Sequence, residues 1–261
     1  MGLLRGKRAL VCGSSQGIGR AVAEKFAESG AGIVLVARDH FRLSEVLGRL
    51  DRGSRQSHRI IVCDFSDPDL LKRKLTEELP EIGPIEILVN NTGGPPAGPI
   101  AKAEAAEFLD AFSKHLVCNQ ILVQAVVEGM KQRGGGRIIN IISTSVRAPI
   151  PGLGVSNTIR GAVASWSKTL AGELGPFGIT VNNILPGFTE TTRLSSLIER
   201  NAVETRRSVE EVAESMKATI PLRRFARAEE IANAALFLAS ELASYVNGIN
   251  LPVDGGRLDC L

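Results

Sequence analysis

The stretch ALVCGSSQGIGRAV, residues 9–22, decides the fold of this chain. It runs from a short apolar segment through Gly13, Gly17 and Gly19 into a segment whose apolar residues recur at helical spacing. Glycine permits a sharp backbone turn that approaches a pyrophosphate closely, and the helix that follows offers free amide donors and a favourable dipole. This strand–turn–helix context therefore predicts the phosphate-binding turn of a dinucleotide-binding domain.

The alternation of apolar and amphipathic segments continues along the rest of the chain. Buried strands are predicted at residues 9–12, 33–37, 59–63, 85–90, 137–142, 179–185 and 249–253. Helical periodicity is found between them, with longer examples at residues 103–131, 157–174 and 228–240. This pattern predicts one α/β domain over residues 1–261, with a Rossmann-like, doubly wound parallel sheet and helices on both faces.

The composition narrows the possible partners. A net charge of +3 over 261 residues is mild, so neither a nucleic-acid nor a membrane partner is expected. The basic run 52–59 is interpreted as a solvated loop, and there is no apolar run long enough to cross a bilayer. The N-terminal segment lacks the features of a secretory signal.

The cysteines indicate neither a metal site nor a disulfide framework. Cys12, Cys63, Cys118 and Cys260 are not spaced as metal ligands, and three of them lie in apolar runs. We therefore expect reduced thiols in a cytoplasmic protein that holds no metal.

Residues after the second and third strands bear on the choice of nucleotide. Arg38 ends the second strand, where an arginine accommodates a 2′-phosphate and an acidic residue binds a 2′-hydroxyl. This predicts NADP(H) in preference to NAD(H), although a shift of one residue would place Asp39 there and reverse the preference. Asp64, after the third strand, is a candidate acceptor for the adenine amino group or a simple turn residue.

Two segments without strand signals border the expected ligand crevice. Residues 190–220 carry the capping-box pattern SVEE at 208–211, and we interpret them as a helical lid, the alternative being a helical hairpin without such a role. The loop NNTGGPPAGPI, residues 90–100, is either a device that reshapes the pocket or a rigid connection.

These motifs, with GRIINIIS (136–143) and ILPGFTET (184–191), resemble the short-chain dehydrogenase/reductase family over essentially the whole chain. The resemblance implies a seven-stranded sheet, a bound nicotinamide dinucleotide and a homotetramer or homodimer. The cofactor residues that it implies are Gly13, Ser15, Gln16, Gly17, Ile18 and Gly19 at the pyrophosphate, Asp64 and Phe65 at the adenine, Asn91 and Gly93 along the ribose, and Pro186, Gly187, Thr189 and Thr191 at the nicotinamide.

The chain departs from the family in the catalytic set, which is an asparagine, a serine, a tyrosine and a lysine. Ser143 matches the serine, but Ser156 stands at the tyrosine position, Arg160 at the lysine position and His115 at the asparagine position. A serine hydroxyl is far less acidic than a phenol, and a guanidinium keeps its proton. The tyrosine of the chain, Tyr245, lies in a stretch that resembles a structural element of the family.

Three functions fit this altered set. The first is an NADP(H)-dependent oxidoreductase that interconverts a carbonyl and an alcohol on a small substrate, in the manner of a 3-oxoacyl reductase. Its Ser143 and Ser156 hydroxyls would hold the carbonyl, Arg160 would stabilise developing negative charge, and water or His115, with an unperturbed pKa of about 6.5, would supply the proton. The second is a catalytically weak or inactive nucleotide-binding module that acts as a sensor or scaffold. The third is a non-redox lyase or epimerase on the same fold.

Overall fold

The computed structural model describes residues 2–53 and 56–260, so residues 54 and 55 of the predicted basic loop lie outside the described residues. Within these ranges the sheet has seven strands, all parallel, in the spatial order β3-β2-β1-β4-β5-β6-β7. The strands are β1 (Arg8–Cys12), β2 (Gly32–Ala37), β3 (Arg59–Val62), β4 (Ile87–Asn90), β5 (Gly136–Ile141), β6 (Ile179–Pro186) and β7 (Asn250–Val253). The doubly wound prediction is confirmed, and each predicted strand is found with bounds that differ by one or two residues.

The helices cover both faces of the sheet. They are α1 (Gly17–Glu28), α2 (His40–Arg49), α3 (Pro68–Ile82), α4 (Ala105–Phe112), α5 (Cys118–Gln132), α6 (Gly154–Leu174), α7 (Thr192–Thr205), α8 (Val209–Ala218) and α9 (Ala228–Ala239). Ala9 and Val11 of β1 pack into one core with α1, α2 and α9, whereas Leu10 and Cys12 pack into the other with α3 and α5. Burial of both faces explains why the strands read as continuous apolar runs.

The sheet has a topological switch point at β1. This strand pairs with β2 on one side and β4 on the other, so the connections after these strands diverge and leave a crevice at their carboxyl ends.

A ladder of asparagine side chains, three of them buried, crosses the other half of the sheet. Asn90 Nδ2 donates to Asn140 Oδ1 (2.8 Å), and Asn140 Nδ2 donates to Asn183 Oδ1 (2.9 Å). Asn183 Nδ2 then donates to Asn250 Oδ1 at 2.8 Å. These residues are also aligned across β4, β5, β6 and β7. Because an unpaired buried amide is costly, the ladder favours this register over a shifted one.

The helix predicted over residues 103–131 is interrupted. Between α4 and α5 the chain forms a π turn at Ser113–Val117, a local widening of the helix that is frequent at functional sites. His115 lies in this turn and is 2% exposed.

The segment predicted as a lid forms α7 and α8. Ser208 Oγ accepts from the Glu211 amide at 3.1 Å, and Glu211 Oε2 accepts from the Ser208 amide at 2.9 Å, so the predicted capping box starts α8. The two helices enclose a small apolar cluster that includes Leu194, Ile198 and Val212. Across the described part of the chain, no helix combines the length and the apolar character needed to cross a membrane.

Candidate active site

A cleft of about 720 Å³ opens at the carboxyl ends of the strands around the switch point. Its walls come from the turn after β1, the loop after β4, the end of β5, the start of α6 and the segment from the end of β6 into α7. The four candidate catalytic residues line this one cleft, and so do all the candidate cofactor residues except Gly19. Tyr245 is fully exposed and is not among the residues that line it.

The glycine turn is shaped by backbone geometry. Gly13 and Gly17 have positive φ angles of 58° and 55°, which a side chain would strain. Asn91 Nδ2 donates to the carbonyl oxygens of Cys12 (3.2 Å) and Gly13 (3.3 Å) and so ties the turn to the end of β4.

Gly19 serves the packing of α1 against the glycine turn. It is buried behind the turn, where an added Cβ would lie 2.2 Å from the Gly13 oxygen. Its lack of a side chain therefore permits the helix to pack against the turn, and it forms no part of the cleft wall.

The N-terminus of α1 fits an anionic group. Gln16 is the N-cap residue, but its side chain makes no capping hydrogen bond, and the first turn holds no acidic residue. The first amides of the helix therefore remain available to an anionic group beside the glycine turn. A Cβ on Gly17 would lie 3.2 Å from Thr191 Cγ2, so this passage is narrow and suits glycine.

Arg38 and Asp39 have different roles at the end of the cleft beside β2 and β3, where the adenine is expected (the adenine end). The Arg38 side chain is 78% exposed, lines the cleft, and has its Nη1 atom 3.9 Å from Asp64 Oδ2. Asp39 instead caps α2, because its Oδ1 atom accepts from the Arg42 amide at 3.1 Å. Asp64 lines the cleft and also serves its turn, where the Ser66 backbone amide lowers the pKa of its carboxyl below the ordinary value.

Two hydroxyl groups lie at the opposite end of the cleft. Ser143 Oγ accepts from the Ser145 amide at 3.1 Å, which leaves the Ser143 proton free to be donated. Ser156 is buried in the first turn of α6, and its hydroxyl has no hydrogen-bond partner among the described residues. Since α6 begins at Gly154 with Leu153 as its N-cap, Ser156 does not cap that helix.

Arg160 lies one helical turn after Ser156 and is 8% exposed. Its Nη1 atom donates to the Ile141 carbonyl oxygen at 3.1 Å. Burial, together with the positive charge of Arg193, lowers the pKa of the Arg160 guanidinium to about 10. The side chain therefore remains cationic at neutral pH, as predicted from the sequence, although its pKa is lower than that of an ordinary arginine.

His115 contradicts the expectation that it titrates near neutrality. Burial, followed by the positive charges of Arg160, Arg193 and Lys114, lowers its pKa from 6.5 to about 2. The Gly93 backbone opposes this shift only weakly. His115 is therefore a neutral imidazole at physiological pH, and an imidazolium at this position is not available to supply a proton.

Several cleft residues were not singled out as candidates from the sequence. Arg193 Nη1 donates to the Gly94 oxygen (2.9 Å) and Nη2 to the Pro95 oxygen (3.3 Å), so α7 is joined to the loop after β4. The Arg257 guanidinium lies 4.3 Å from the centre of the Phe188 ring. No local pattern marks either arginine, because each reaches the cleft only through the way the chain folds back.

The comparisons with known proteins agree with this geometry. A family model described as enoyl-(acyl carrier protein) reductase matches residues 13–257. The chain belongs to the short-chain dehydrogenase/reductase family.

Three relatives illustrate the family. The chain is 33% identical to the 3-oxoacyl-(acyl-carrier-protein) reductase of Vibrio harveyi, with 97% of this chain and 98% of the relative covered. It is 31% identical to the gluconate 5-dehydrogenase of Gluconobacter oxydans, with coverage of 97% and 95%. The crystal structure of L-sorbose reductase from Gluconobacter frateurii, complexed with NADPH and L-sorbose, superimposes with a TM-score of 0.93 at 33% identity, covering 100% of both chains. This short-chain dehydrogenase/reductase is therefore an oxidoreductase by family.

Proposed function

We propose that the protein is an NADP(H)-dependent reductase or dehydrogenase that interconverts a carbonyl and an alcohol on a small substrate. The observation that carries this proposal is the convergence in one cleft of an anion-accepting helix end with the hydroxyls of Ser143 and Ser156. The related L-sorbose reductase, which was crystallised with NADPH and a ketose, supports the same class of reaction.

NADP(H) is the preferred nucleotide in this proposal. Arg38 lines the cleft and is exposed enough to meet a 2′-phosphate, which a guanidinium can bind with paired hydrogen bonds. Asp39, the residue that would favour NAD(H), is engaged in capping α2. The remaining candidate residues of the glycine turn, the end of β4 and the segment after β6 would hold the rest of the dinucleotide.

The reaction end would act by hydrogen bonding and charge. A bound NADPH would supply the hydride. Ser143 would donate a hydrogen bond to the substrate carbonyl oxygen, and the Ser156 hydroxyl would hold the same oxygen from α6. Arg160 would stabilise the negative charge that develops on that oxygen, because a fixed cation in a water-poor site requires no reorganisation.

The source of the proton distinguishes this site from the pattern that the family resemblance implies. Ser156 and Arg160 stand where that pattern has a tyrosine and a lysine, and His115 is neutral. We infer that water entering the cleft supplies the final proton. The comparisons lend no support to the inactive sensor or scaffold, and no observation favours a lyase or epimerase.

We also propose that α7 and α8 form a lid, because Arg193 joins α7 to the loop after β4 across the cleft.

We propose further that the protein is a homodimer or homotetramer in the cytoplasm. Exposed apolar side chains such as Leu109 (72%) and Phe112 (42%) on α4 suit contact between subunits. Light scattering during gel filtration would measure the mass of the assembly.

A substrate panel and a cofactor titration test the proposed function together. Purified protein would be mixed with NADPH and a series of ketones, aldehydes and oxo acids, and loss of NADPH absorbance would report turnover. In parallel, NADPH fluorescence would give the dissociation constants of NADPH and NADH. We expect NADPH to bind more tightly and at least one carbonyl compound to be reduced. Failure to bind either nucleotide at about millimolar concentration would refute the proposal.

A further inference from the structure

We propose that the substrate of this site carries an anionic oxygen group, a carboxylate or a phosphate ester, that binds at Arg193 in the field of Arg160. This inference rests on the proposed function and names the class of its substrate. It is carried by the charges that line the cleft and by the absence of acidic partners for these two arginines among the described residues.

The cleft has an excess of positive charge. Its described walls hold five cationic side chains and two carboxylates, which are Arg38, Lys114, Arg160, Arg193 and Arg257 against Asp64 and Asp110. Both carboxylates already have cationic partners, since Asp64 lies 3.9 Å from Arg38 and Asp110 lies 2.7 Å from Lys114. The excess charge therefore belongs to Arg160, Arg193 and Arg257.

The excess is concentrated at the reaction end. Within residues 2–53 and 56–260, neither Arg160 nor Arg193 lies within 4.0 Å of a carboxylate. Arg160 is nearly buried and donates to one carbonyl oxygen, and Arg193 is exposed at the mouth of the cleft and donates to two. A carbonyl oxygen satisfies a hydrogen bond but does not neutralise a guanidinium, so the site lacks a counter-charge.

The phosphates of a dinucleotide do not account for this charge. In the proposed arrangement the diphosphate lies over the N-terminus of α1, and the 2′-phosphate lies at Arg38. Arg160 follows Ser156 by one turn of α6, and Arg193 donates to the loop after β4, so we place both guanidinium groups at the substrate end of the cleft. Arg160, Arg193 and His115 line the same cleft, and the positive charge of Arg193 contributes to lowering the pKa of Arg160.

Two consequences follow for the substrate. An anionic group would be attracted through the mouth of the cleft past Arg193, and it would offset the repulsion between the two guanidinium groups. A neutral substrate would leave both charges uncompensated. Guanidinium binds carboxylate and phosphate with similar planar hydrogen bonds, so the two sources are distinguished by experiment.

The first test measures binding without any turnover. Oxalate and inorganic phosphate would be titrated calorimetrically into the protein with and without saturating NADPH, and oxamide would serve as the uncharged match. We expect one of the two anions to bind with a dissociation constant of about 1 mM or lower, and we expect oxamide not to bind. Arg193→Gln should raise the dissociation constant of that anion by roughly ten- to a hundredfold, as expected for loss of a charge-assisted contact.

Matched variants separate this effect from general loss of charge or of structure. Arg73→Gln removes one positive charge from the exposed face of α3 and should bind the anion like the unaltered protein. Arg193→Lys keeps the charge and should retain most of the binding. The inference is overturned if neither anion binds, or if Arg193→Gln binds the anion as tightly as Arg73→Gln does.

The second test measures selectivity in turnover with NADPH. Two substrate pairs differ chiefly in charge, namely 4-oxopentanoate with its methyl ester and dihydroxyacetone phosphate with dihydroxyacetone. We expect kcat/KM to favour the charged member of one pair by more than about tenfold, and Arg193→Gln to reduce that ratio toward one. If Arg193 only pinned the loop after β4, both members of a pair would be impaired equally and the ratio would not change.

The outcomes for the two proposals are distinguishable. Preferential reduction of the neutral member of each pair would overturn the inference of an anionic substrate and leave the carbonyl reductase proposal intact. Absence of nucleotide binding would overturn the reductase proposal, whereas the anion titration without NADPH would still decide whether Arg193 binds an anion.

Discussion

Both ends of the cleft carry arginine side chains, but the positive charge has a nearby carboxylate at only one of the two ends. At the adenine end Arg38 lies beside Asp64, so its charge is offset before any ligand arrives. At the proposed reaction end the guanidinium groups of Arg160 and Arg193 donate hydrogen bonds to backbone carbonyl oxygens and have no carboxylate partner among the described residues. A bound molecule must therefore supply the counter-charge at one end, whereas at the other it competes with a counter-charge that is already present.

The ends also differ in what builds them. The proposed phosphate-binding turn depends on backbone geometry, which includes the positive φ angles of Gly13 and Gly17 and the free amides of α1. The reaction end depends on side chains, chiefly Ser143, Ser156 and Arg160. Changes at the first end should alter structure and cofactor binding together, and changes at the second should alter turnover with little effect on cofactor binding.

The largest effect is expected at the glycine turn. Gly19→Ala would place a Cβ 2.2 Å from the Gly13 carbonyl oxygen, so α1 would have to move away from the turn. We expect the free energy of unfolding to fall by about 3 kcal/mol or more, and NADPH to bind more than about a hundredfold more weakly. Urea denaturation and NADPH fluorescence measure the two quantities.

Gly48→Ala is the control for this substitution. Gly48 lies in α2, and an added Cβ there meets no atom within 4 Å. Alanine is the better helix former, so stability should rise by up to about 1 kcal/mol with NADPH binding unchanged. Wild-type NADPH affinity in Gly19→Ala would show that the turn does not depend on this packing.

The next effect tests the reaction end. Ser143→Ala removes a hydrogen-bond donor to the substrate oxygen, so kcat/KM for any reduced carbonyl compound should fall by roughly a hundred- to a thousandfold. The NADPH dissociation constant should change by less than about threefold. Ser145→Ala is a useful comparison, because Ser145 contributes its backbone amide to Ser143 and keeps that amide in the variant. Full activity of Ser143→Ala would remove the role assigned to this serine.

The fold was predictable because its signals are local. Strands buried on both faces appear as apolar runs, and the glycine turn appears as a motif between a strand and a helix. Ser143, Ser156 and Arg160 could be found by resemblance, since their positions are fixed relative to β5 and α6.

The electrostatics of the site could not be predicted in the same way. The pKa of His115 depends on a π turn that buries it and on arginines from α6 and α7, none of which is adjacent in sequence. The contact of Arg193 with Gly94 likewise joins segments separated by ninety-nine residues. Long-range proximity of this kind leaves no periodic or motif signal in one sequence.

A smaller effect concerns the charge state of His115 and is visible in stability. Its pKa of about 2 in the folded protein lies below the unfolded value of 6.5, so the unfolded state binds the proton more readily. Stability from the neutral imidazole is fully present above pH 6.5 and is lost as the pH falls from there toward 2. From this residue we expect a loss of about 1.6 kcal/mol in the free energy of unfolding between pH 6.5 and pH 5.

His115→Asn should remove that part of the pH dependence, as measured by urea denaturation at a series of pH values. The exposed His40, changed to Asn, is the control for removal of an imidazole from the surface. His58, whose pKa is lowered mainly by burial, contributes a background slope to every one of these proteins. An identical pH dependence in His115→Asn and the unaltered protein would mean that the pKa of His115 is the same in the folded and unfolded states, which would restore it as a candidate proton donor.

The smallest effect is expected at the adenine end, where charge is already balanced. Arg38→Gln removes the guanidinium proposed to meet the 2′-phosphate, but that guanidinium is exposed and must partly leave Asp64 to do so. Screening by solvent limits the gain, so NADPH should bind only about tenfold more weakly, while NADH, which lacks that phosphate, should be nearly unaffected. Arg49→Gln, at the exposed end of α2, controls for the change in net charge. If Arg38→Gln weakened NADPH and NADH equally, Arg38 would be acting on the adenine or the diphosphate rather than on the 2′-phosphate. The two ends of the cleft would then differ in the pairing of their charges but not in nucleotide selectivity.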